Sequence, residues 1–278
     1  MPDVTPHLTP VEAAVALGIE HGIRADEPRV LKDGSNLLVH LLPAPVVVRV
    51  ATFTARIRRD PLPYLEREVR LASALVAEGA AVARPSSLIP AGPHLRGGWA
   101  MSAWGYVEHE PGAIPDGPTA LAALDSLHEA MRRVSIDLPP LGPATSDLDL
   151  AIEFAVANRL LDESAAIDHR TRRDRLVDEL LAAAQDRQPL HGDAFPRNSL
   201  VTPAGVVWID LEDCCRGPAA WDHAVLIRNV EDQRVTDALR RRDGDAAIDA
   251  AIGLRRIQAD IWRLLHDARA AGRLAAGP

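Results

Sequence analysis

The sequence has 278 residues, of which 47% are hydrophobic and 25% are charged, and its formal net charge at pH 7 is -8. This length and composition favour a globular protein with one large domain or two lobes around a cleft. The acidic balance argues against a nucleic-acid-binding protein, which would need a basic surface. Lys32 is the only lysine, so any role that calls for lysine must be filled by Lys32 or by arginine.

The two cysteines, Cys214 and Cys215, are adjacent in the sequence. A disulfide between neighbours is strained and closes no useful loop, and no second pair is present to complete a zinc site. The N-terminus lacks the basic and apolar regions of a signal peptide, and no uninterrupted apolar stretch reaches about 18 residues. We therefore expect free, buried thiols in a soluble, cytoplasmic protein without a membrane partner.

The first predicted element is a helix that opens with a capping box at Thr9-Pro10-Val11-Glu12 and ends before Gly22. Apolar runs at residues 37–42 and 46–50 then predict two strands, because such runs between turn residues are typical of buried strands. The helix is predicted to be a scaffold element without visible chemistry of its own.

A glycine-containing turn at residues 32–36 precedes the first predicted strand. Such a turn can lay backbone N–H groups over a phosphate, which makes Ser35 and Asn36 candidate nucleotide-binding residues. An ordinary surface turn is the alternative, and the turn by itself leaves both interpretations open.

Arg49 lies within the apolar second strand, where alternation places it on the face opposite Val48. A charged side chain in so apolar a run needs a partner. The next helix, expected over residues 64–78, carries Glu68 on its apolar stripe, whereas Glu66 falls outside that stripe. The pattern predicts a buried ion pair between Arg49 and Glu68. The alternative is an arginine at the sheet edge and a glutamate that reaches solvent.

The next strand, predicted over residues 99–104, is followed by a stretch rich in proline and glycine at 111–118, and almost everything after it is helical. We place a lobe boundary here. The N-terminal lobe is predicted to comprise residues 1–104 and the C-terminal lobe residues 105–278.

The C-terminal lobe is expected to contain a series of helices. They are predicted near residues 121–131, from 146 towards 161, over 171–187, from 217–222 onward, over 233–241 and over 246–270. Ser146-Asp147-Leu148-Asp149 is expected to form a capping box, and residues 172–175 a solvated face. His128 lies on an apolar helix face and is expected to be a buried histidine with one hydrogen bond rather than a catalytic residue.

The residues that suggest chemistry are concentrated between 190 and 213. Asp193 and Asn198 lie five residues apart, and Asp210 follows the apolar run 206–209. Phosphoryl transfer needs a carboxylate that takes or orients a hydroxyl proton, and carboxylate and amide oxygens that hold a divalent metal ion on the phosphates. The three side chains supply this set. A metal-dependent hydrolase is disfavoured, because no His/Asp cluster elsewhere completes a two-metal site.

The segment from His191 to Asn198, followed by Asp210-Leu211-Glu212 and by Gly217-Pro218-Ala219-Ala220-Trp221-Asp222, closely resembles the aminoglycoside phosphotransferase family. This family is part of the protein-kinase-like superfamily, with choline and homoserine kinases as relatives. The resemblance covers most of the chain. It implies an α+β, bilobal protein-kinase-like fold, with a small N-terminal lobe built on an antiparallel sheet and a larger, mostly helical C-terminal lobe.

The resemblance also implies roles for individual residues. Asp193 would be the catalytic base, hydrogen-bonded to the acceptor hydroxyl, and Asn198 and Asp210 would be Mg²⁺ ligands. Asp222 would be a buried carboxylate at a helix start that braces the catalytic loop through its backbone. In the N-terminal lobe, the implied nucleotide-binding residues are Ser35, Asn36, Arg49, Glu68, Ser102 and Trp104.

Arg49 is a departure from the family, which usually places a lysine here to contact the ATP phosphates and pair with the helix glutamate. Arginine keeps the charge and can contact phosphate in a bidentate manner, but it is not interchangeable with lysine. Lys32, in the candidate phosphate turn, is the only lysine that could substitute. Two alternatives follow: an active kinase, or a pseudokinase that binds nucleotide without transferring phosphate.

The combined prediction is an O-phosphotransferase that uses ATP or GTP with Mg²⁺ and phosphorylates a hydroxyl of a small molecule. An antibiotic acceptor, such as an aminoglycoside or a nucleoside, would make it a resistance enzyme. A metabolic kinase of the choline or homoserine type is an alternative. We expect no nucleic-acid partner, and either a monomer or a homodimer.

The charge of the acceptor stays open at this level. From Glu212 to the C-terminus the chain has 11 acidic residues and 11 arginines, so the formal net charge of this part is zero. Arg228, Arg255, Arg256 and Arg263 could face an anionic acceptor, or they could belong to solvated helix faces. An anionic or neutral acceptor is therefore as compatible with the sequence as a cationic one.

Overall fold

The computed structural model describes residues 8–274, which divide into two compact units. The first unit comprises residues 8–76 and 82–108, and the second comprises residues 77–81 and 109–274. The sequence placed a single boundary after residue 104. The chain passes into the second unit after residue 108, and the short segment 77–81 also belongs to that unit.

The first unit is built on an antiparallel sheet, as predicted. In chain order its elements are α1 (Pro10–Glu20), β1 (Glu27–Asp33), β2 (Leu37–Leu42), β3 (Val46–Val50), α2 (Phe53–Ile57), α3 (Leu62–Ala77), β4 (His94–Arg96) and β5 (Trp99–Gly105). The strands lie in the order β1-β2-β3-β5-β4, and every neighbouring pair is antiparallel.

Helix α1 begins at the predicted capping box. The Thr9 hydroxyl accepts a hydrogen bond from the Glu12 N–H at 3.2 Å, and the Glu12 carboxylate accepts one from the Thr9 N–H at 2.7 Å. Leu17 on this helix packs with Val48 of β3 in one buried cluster. Because side chains alternate along a strand, Arg49 is directed to the other face of the sheet. The alternation of side chains along β3 therefore determines the face of the sheet on which Arg49 lies.

Three elements of the first unit were not predicted. All seven residues of β1 are exposed, so its sequence carries no alternation of buried and exposed positions, and the strand is defined by its pairing with β2. Lys32 lies in β1 rather than in the turn that follows it. Helix α2 and strand β4 have five and three residues, which is too short for periodicity to reveal them.

The second unit is mostly helical, as predicted. Its elements are α4 (Gly117–Arg133), α5 (Ser146–Ala157), α6 (Glu163–Ala183), β6 (Gln188–Leu190), β7 (Ser199–Thr202), β8 (Gly205–Trp208), β9 (Cys215–Gly217), α7 (Ala220–Ile227), α8 (Gln233–Asp243) and α9 (Asp245–Ala270). Helix α9 packs against α5, α6, α7 and α8 and so forms the centre of this unit. In the described part of the chain, no helix is both long and apolar enough to cross a membrane.

Three predictions for the second unit were wrong. The capping box at the start of α5 is absent, because Thr145 occupies the N-cap and makes no side-chain capping bond. Helix α6 begins earlier than predicted, where the Asp162 carboxylate accepts the N–H of Ala165 at 2.7 Å. The predicted solvated face of α6 is interrupted by Arg173, which is 7% exposed and pairs with Asp149 at 2.7 Å.

Cys214 and Cys215 are free and buried, as predicted. Burial raises the pKa of the Cys215 thiol well above its ordinary value, and the negative charge of Asp222 raises it further. This thiol therefore stays protonated and unreactive at neutral pH.

Candidate active site

The loop that carries Asp193 leaves β6, which pairs with β9 in a short antiparallel ladder. Gly192 sits in this loop with φ at +87°, a conformation that favours glycine. A Cβ atom at this position would lie 1.8 Å from the carbonyl oxygen of Asp213. Only glycine therefore allows the loop to pass so close to the segment that follows Asp210.

The carboxylate of Asp222, at the start of α7, accepts three hydrogen bonds, two of them from the backbone of the same loop. Its carboxylate accepts the N–H groups of His191 and Gly192, each at 2.9 Å, and the Nε2–H of His128 at 2.8 Å. The side chain is completely buried. The predicted bracing role of Asp222 is confirmed, and so is the prediction that His128 is a buried, hydrogen-bonded histidine.

The protonation state of Asp222 follows from these contacts. Burial by itself raises the pKa of this carboxyl group. The hydrogen bond and attraction of His128 and the hydrogen bond from the His191 N–H act in the opposite direction and outweigh burial. The pKa of Asp222 thus lies below its ordinary value, and the group accepts all three bonds as a carboxylate.

His191 connects the two segments that carry the candidate residues. It is fully buried; its Nδ1 accepts the N–H of Asp193 at 3.3 Å, and its Nε2 lies 3.0 Å from the carbonyl oxygen of Ile209. A ring nitrogen that accepts on one side and donates on the other requires the neutral form with its proton on Nε2. The residue before Asp210 and the backbone of Asp193 are therefore fixed by one imidazole ring.

Asn198 holds the candidate base. Its Nδ2 donates to the Oδ2 of Asp193 at 2.8 Å and to the carbonyl oxygen of the same residue at 3.1 Å. Asn198 follows Pro196 in a short 3-10 helix and is 5% exposed, which limits the freedom of its side chain. The structure thus brings two of the three predicted residues into direct contact.

Arg255 on α9 contacts the other oxygen of Asp193. Its Nη2 forms an ion pair with the Asp193 Oδ1, and its Nη1 donates to the side-chain oxygen of Gln258. The arginine side chain is 15% exposed and the aspartate side chain 23%. The sequence had named Arg255 only as one of four arginines near the acceptor, and its pairing with the candidate base was missed.

The donor set of Asn198 and Asp210 fits a hard divalent cation. Because the Asn198 amide nitrogen donates to Asp193, the amide oxygen is left to face another group. The N–H of Ile209 donates to the Asn198 carbonyl oxygen at 2.9 Å, which links the backbone next to Asp210 to Asn198. Asp210 adopts a left-handed conformation with φ at +66°, unusual for a non-glycine residue and often found at functional sites.

In the first unit, the predicted ion pair between Arg49 and Glu68 is confirmed. The Arg49 Nη1 lies 2.7 Å from the Glu68 Oε1, and the two side chains are 5% and 2% exposed. Arg49 is the cross-strand partner of Ser102, which is fully buried and accepts a hydrogen bond from the Trp104 indole at 2.9 Å. Four of the predicted nucleotide-binding residues therefore form one connected group.

Ser35 and Asn36 form the turn between β1 and β2. The Ser35 carbonyl oxygen accepts the N–H of Thr54 at 3.0 Å, and the Thr54 hydroxyl donates to the Asn36 Oδ1 at 2.5 Å. The turn is therefore fastened to α2. Asn36 is 8% exposed, so its side chain acts at least in part as a structural support for the turn.

Comparison with solved structures shows that the chain has the fold of kinase-like phosphotransferases. It is similar to an aminoglycoside phosphotransferase from Streptomyces rimosus solved with ADP and streptomycin, with 18% identity, a TM-score of 0.65, and 90% of this chain and 99% of that chain covered. It is also similar to the amicoumacin kinase hAmiN, with 17% identity, a TM-score of 0.62, and coverage of 87% and 81%. A choline kinase from Streptococcus pneumoniae is similar with 14% identity and a TM-score of 0.61, and the match covers 92% of this chain and 90% of that chain.

The sequence itself identifies the family. The sequence model of the phosphotransferase enzyme family matches residues 28–259, and the chain belongs to that family. The predicted resemblance and the predicted enzyme class are thereby confirmed. No curated protein matches the chain at a significant level.

Proposed function

We propose that the protein transfers the γ-phosphoryl group of ATP or GTP to a hydroxyl group of a small molecule. The observation that carries this proposal is the arrangement of Asp193, with one carboxylate oxygen held by Asn198 at 2.8 Å and its backbone N–H fixed by His191. A base held in one orientation is what phosphoryl transfer requires, because this chemistry depends on positioning and charge stabilisation.

In the proposed reaction, Asp193 accepts the proton of the acceptor hydroxyl while the acceptor oxygen bonds to the γ-phosphorus. The bond between that phosphorus and the bridging oxygen breaks, and the nucleoside diphosphate leaves with the electron pair. Asn198 and Asp210 would hold Mg²⁺ through oxygen atoms, and the ion would neutralise charge on the phosphates. Asp222 and His191 contribute by fixing the backbone on either side of Asp193.

The first unit would bind the nucleotide. Arg49 keeps a positive charge at the position where the family uses lysine, and Glu68 orients it. Ser35, Asn36, Ser102 and Trp104 are the further proposed nucleotide-binding residues. Solved relatives contain AMP-PNP and Ca²⁺ in one case and ADP in another, which supports nucleotide use by this chain.

The test is the variant Asp193→Asn, assayed with ATP and Mg²⁺ against a panel of sugars, aminoglycosides, nucleoside antibiotics, amino alcohols and hydroxy acids. Turnover should fall by about 10²- to 10⁴-fold, the usual contribution of a general base, whereas nucleotide affinity should persist. Asp178→Asn, on the exposed side of α6, is the matched control and should behave as wild type. Undiminished turnover in Asp193→Asn would overturn the assignment of the base.

A nucleotide-binding pseudokinase is the second candidate, and the arginine at position 49 favours it. Calorimetry with Mg·ATP separates the two candidates. Nucleotide binding without phosphoryl transfer to any acceptor of the panel would support the pseudokinase, and acceptor-dependent release of ADP would exclude it.

A further inference from the structure

Four arginines of the second unit lie close to one another. Arg228 occupies the C-terminal end of α7, and Arg255, Arg256 and Arg263 lie on α9, against which α7 packs. Arg256 and Arg263 are seven residues apart, which places them on the same side of the helix two turns apart. The charges of Arg255, Arg256 and Arg263 all act on Arg228. The two packed helices therefore bring these four arginines to one surface, here called the arginine surface.

The charges on the arginine surface are not balanced. Partial burial lowers the pKa of Arg228, and the charges of Arg256, Arg255 and Arg263 lower it further, with Asp260 alone acting in the opposite direction. Among the described residues, two carboxylates, Asp193 and Asp260, form ion pairs with these four arginines. The net charge of the surface is therefore positive, and a bound anion would reduce the repulsion among the arginines.

The carboxylates that contact the surface are already engaged. Asp260 pairs with Arg263 at 3.3 Å, and Asp193 pairs with Arg255. Within residues 8–274, neither Arg228 nor Arg256 makes an ion pair with a carboxylate. Both side chains are exposed and able to meet a ligand.

Arg255 connects the arginine surface to the candidate base. Its guanidinium group reaches the Asp193 Oδ1, so an anion bound among the four arginines lies next to the carboxylate that would receive the hydroxyl proton. Arginine suits this task, because its planar group offers several N–H donors and can bind a carboxylate or a phosphate while retaining another contact.

We propose that the acceptor carries an anionic group, a carboxylate or a phosphate ester, which Arg228, Arg255, Arg256 and Arg263 bind while its hydroxyl meets Asp193. This inference rests on the proposed phosphotransferase function and deepens it by naming the substrate class. Cationic acceptors are repelled by the net positive charge of the same surface. The arginine surface thus selects the acceptor by the sign of its charge.

A set of four hydroxylated three-carbon compounds tests the proposal: glycerate, glycerol phosphate, glycerol and aminopropanediol. Binding is measured by calorimetry in the presence of saturating Mg·ADP, which fills the nucleotide phosphate site, and at constant ionic strength. Glycerate or glycerol phosphate should bind, and the neutral and cationic compounds should not. The tighter of the two anions identifies the carboxylate or the phosphate as the preferred group.

The double variant Arg228→Gln/Arg256→Gln should bind the anion at least about tenfold more weakly, since it removes two charged hydrogen-bond donors. Arg241→Gln, at an exposed position of α8, is the matched control and should bind as wild type. If the double variant fails to fold, Arg263→Gln, whose side chain is 65% exposed, replaces it.

Three results would overturn the proposal: no binding of either anion, equal binding of aminopropanediol, or unchanged anion affinity in the arginine variants. Because the measurement involves no turnover, its failure leaves the test with Asp193→Asn unaffected. Conversely, an active Asp193→Asn variant would remove the catalytic assignment without altering the measured anion affinity.

Discussion

Two arginine–carboxylate pairs, one in each unit, have the same chemistry and different surroundings. Arg49 and Glu68 are 5% and 2% exposed, whereas Arg255 and Asp193 are 15% and 23% exposed. A fully buried pair is difficult to separate, because either partner would be left as a charge in an apolar environment. A pair that water reaches can exchange its partner for a ligand at small free-energy cost. The first pair is therefore expected to be fixed, and the second to be exchangeable.

The largest expected effect comes from breaking the buried pair. Glu68→Gln should lower the free energy of unfolding by about 3–5 kcal/mol, because Arg49 loses the carboxylate that compensates its charge. Urea denaturation followed by circular dichroism measures the change. Glu66→Gln, at an exposed position of the same helix, is the control and should be nearly neutral. An equally small effect in both variants would show that the two ion pairs do not differ as proposed.

Asp222 extends the comparison of the two pairs, because it is a buried carboxylate that is stabilised by N–H groups of His128, His191 and Gly192 instead of by an arginine. Asp222→Asn should destabilise the protein by about 2–3 kcal/mol, since an amide cannot accept all three hydrogen bonds. Asp178→Asn again serves as the control. A loss confined to activity, with stability unchanged, would contradict the role of Asp222 as a brace.

The effect of pH on Asp222 has a defined sign. The pKa of the folded-state carboxyl is depressed below its ordinary value of 3.8, so its stabilisation is present above pH 3.8 and lost as the pH falls through the folded-state pKa. The difference in unfolding free energy between wild type and Asp222→Asn should therefore be constant at neutral pH and shrink below pH 3.8. Denaturation curves over this range measure the difference, and a gap that widened on acidification would contradict the assignment.

The smallest expected effect on stability comes from the second pair. Arg255→Gln should change the free energy of unfolding by about 1 kcal/mol, the upper end of the range for exposed ion pairs, because both side chains are only partly exposed. Thermal denaturation measures this change, with Arg241→Gln as the control variant. A loss as large as that of Glu68→Gln would mean that the pair with Asp193 is a fixed structural contact and does not open to admit an acceptor.

The sequence predicted the first pair and missed the second for a physical reason. Arg49 and Glu68 are 19 residues apart. Each is a charged residue at a position where the pattern of its own strand or helix calls for an apolar one, so each is visible in the local sequence. Asp193 and Arg255 are 62 residues apart, and Arg255 stands beside Arg256 in a helix whose exposed side is rich in arginine. No local pattern distinguishes the arginine that reaches the loop from its neighbours.

The same reasoning explains the rest of the candidate site. The spacing of Asp193, Asn198 and Asp210 suggested their chemistry, and the family resemblance identified Asp222. Both signals lie within short stretches of sequence and can be recognised without the structure. The bridging role of His191 was not predicted, since it depends on the close return of residues 209–213. Gly192 is the signal that could have indicated this return, because a glycine is required where two backbone segments pass this close to each other.

Lys32 offers a practical use that follows from its position. Its exposed side chain lies on β1 and passes 3.4 Å from where a Cβ of Gly34 would stand, at the turn that contains Ser35 and Asn36. Both cysteines are buried, so an amine-reactive fluorophore meets one lysine side chain, besides the α-amino group, and no accessible thiol. If the neighbouring turn binds nucleotide as proposed, the fluorescence of a dye on Lys32 should change when nucleotide is added, without any engineered residue.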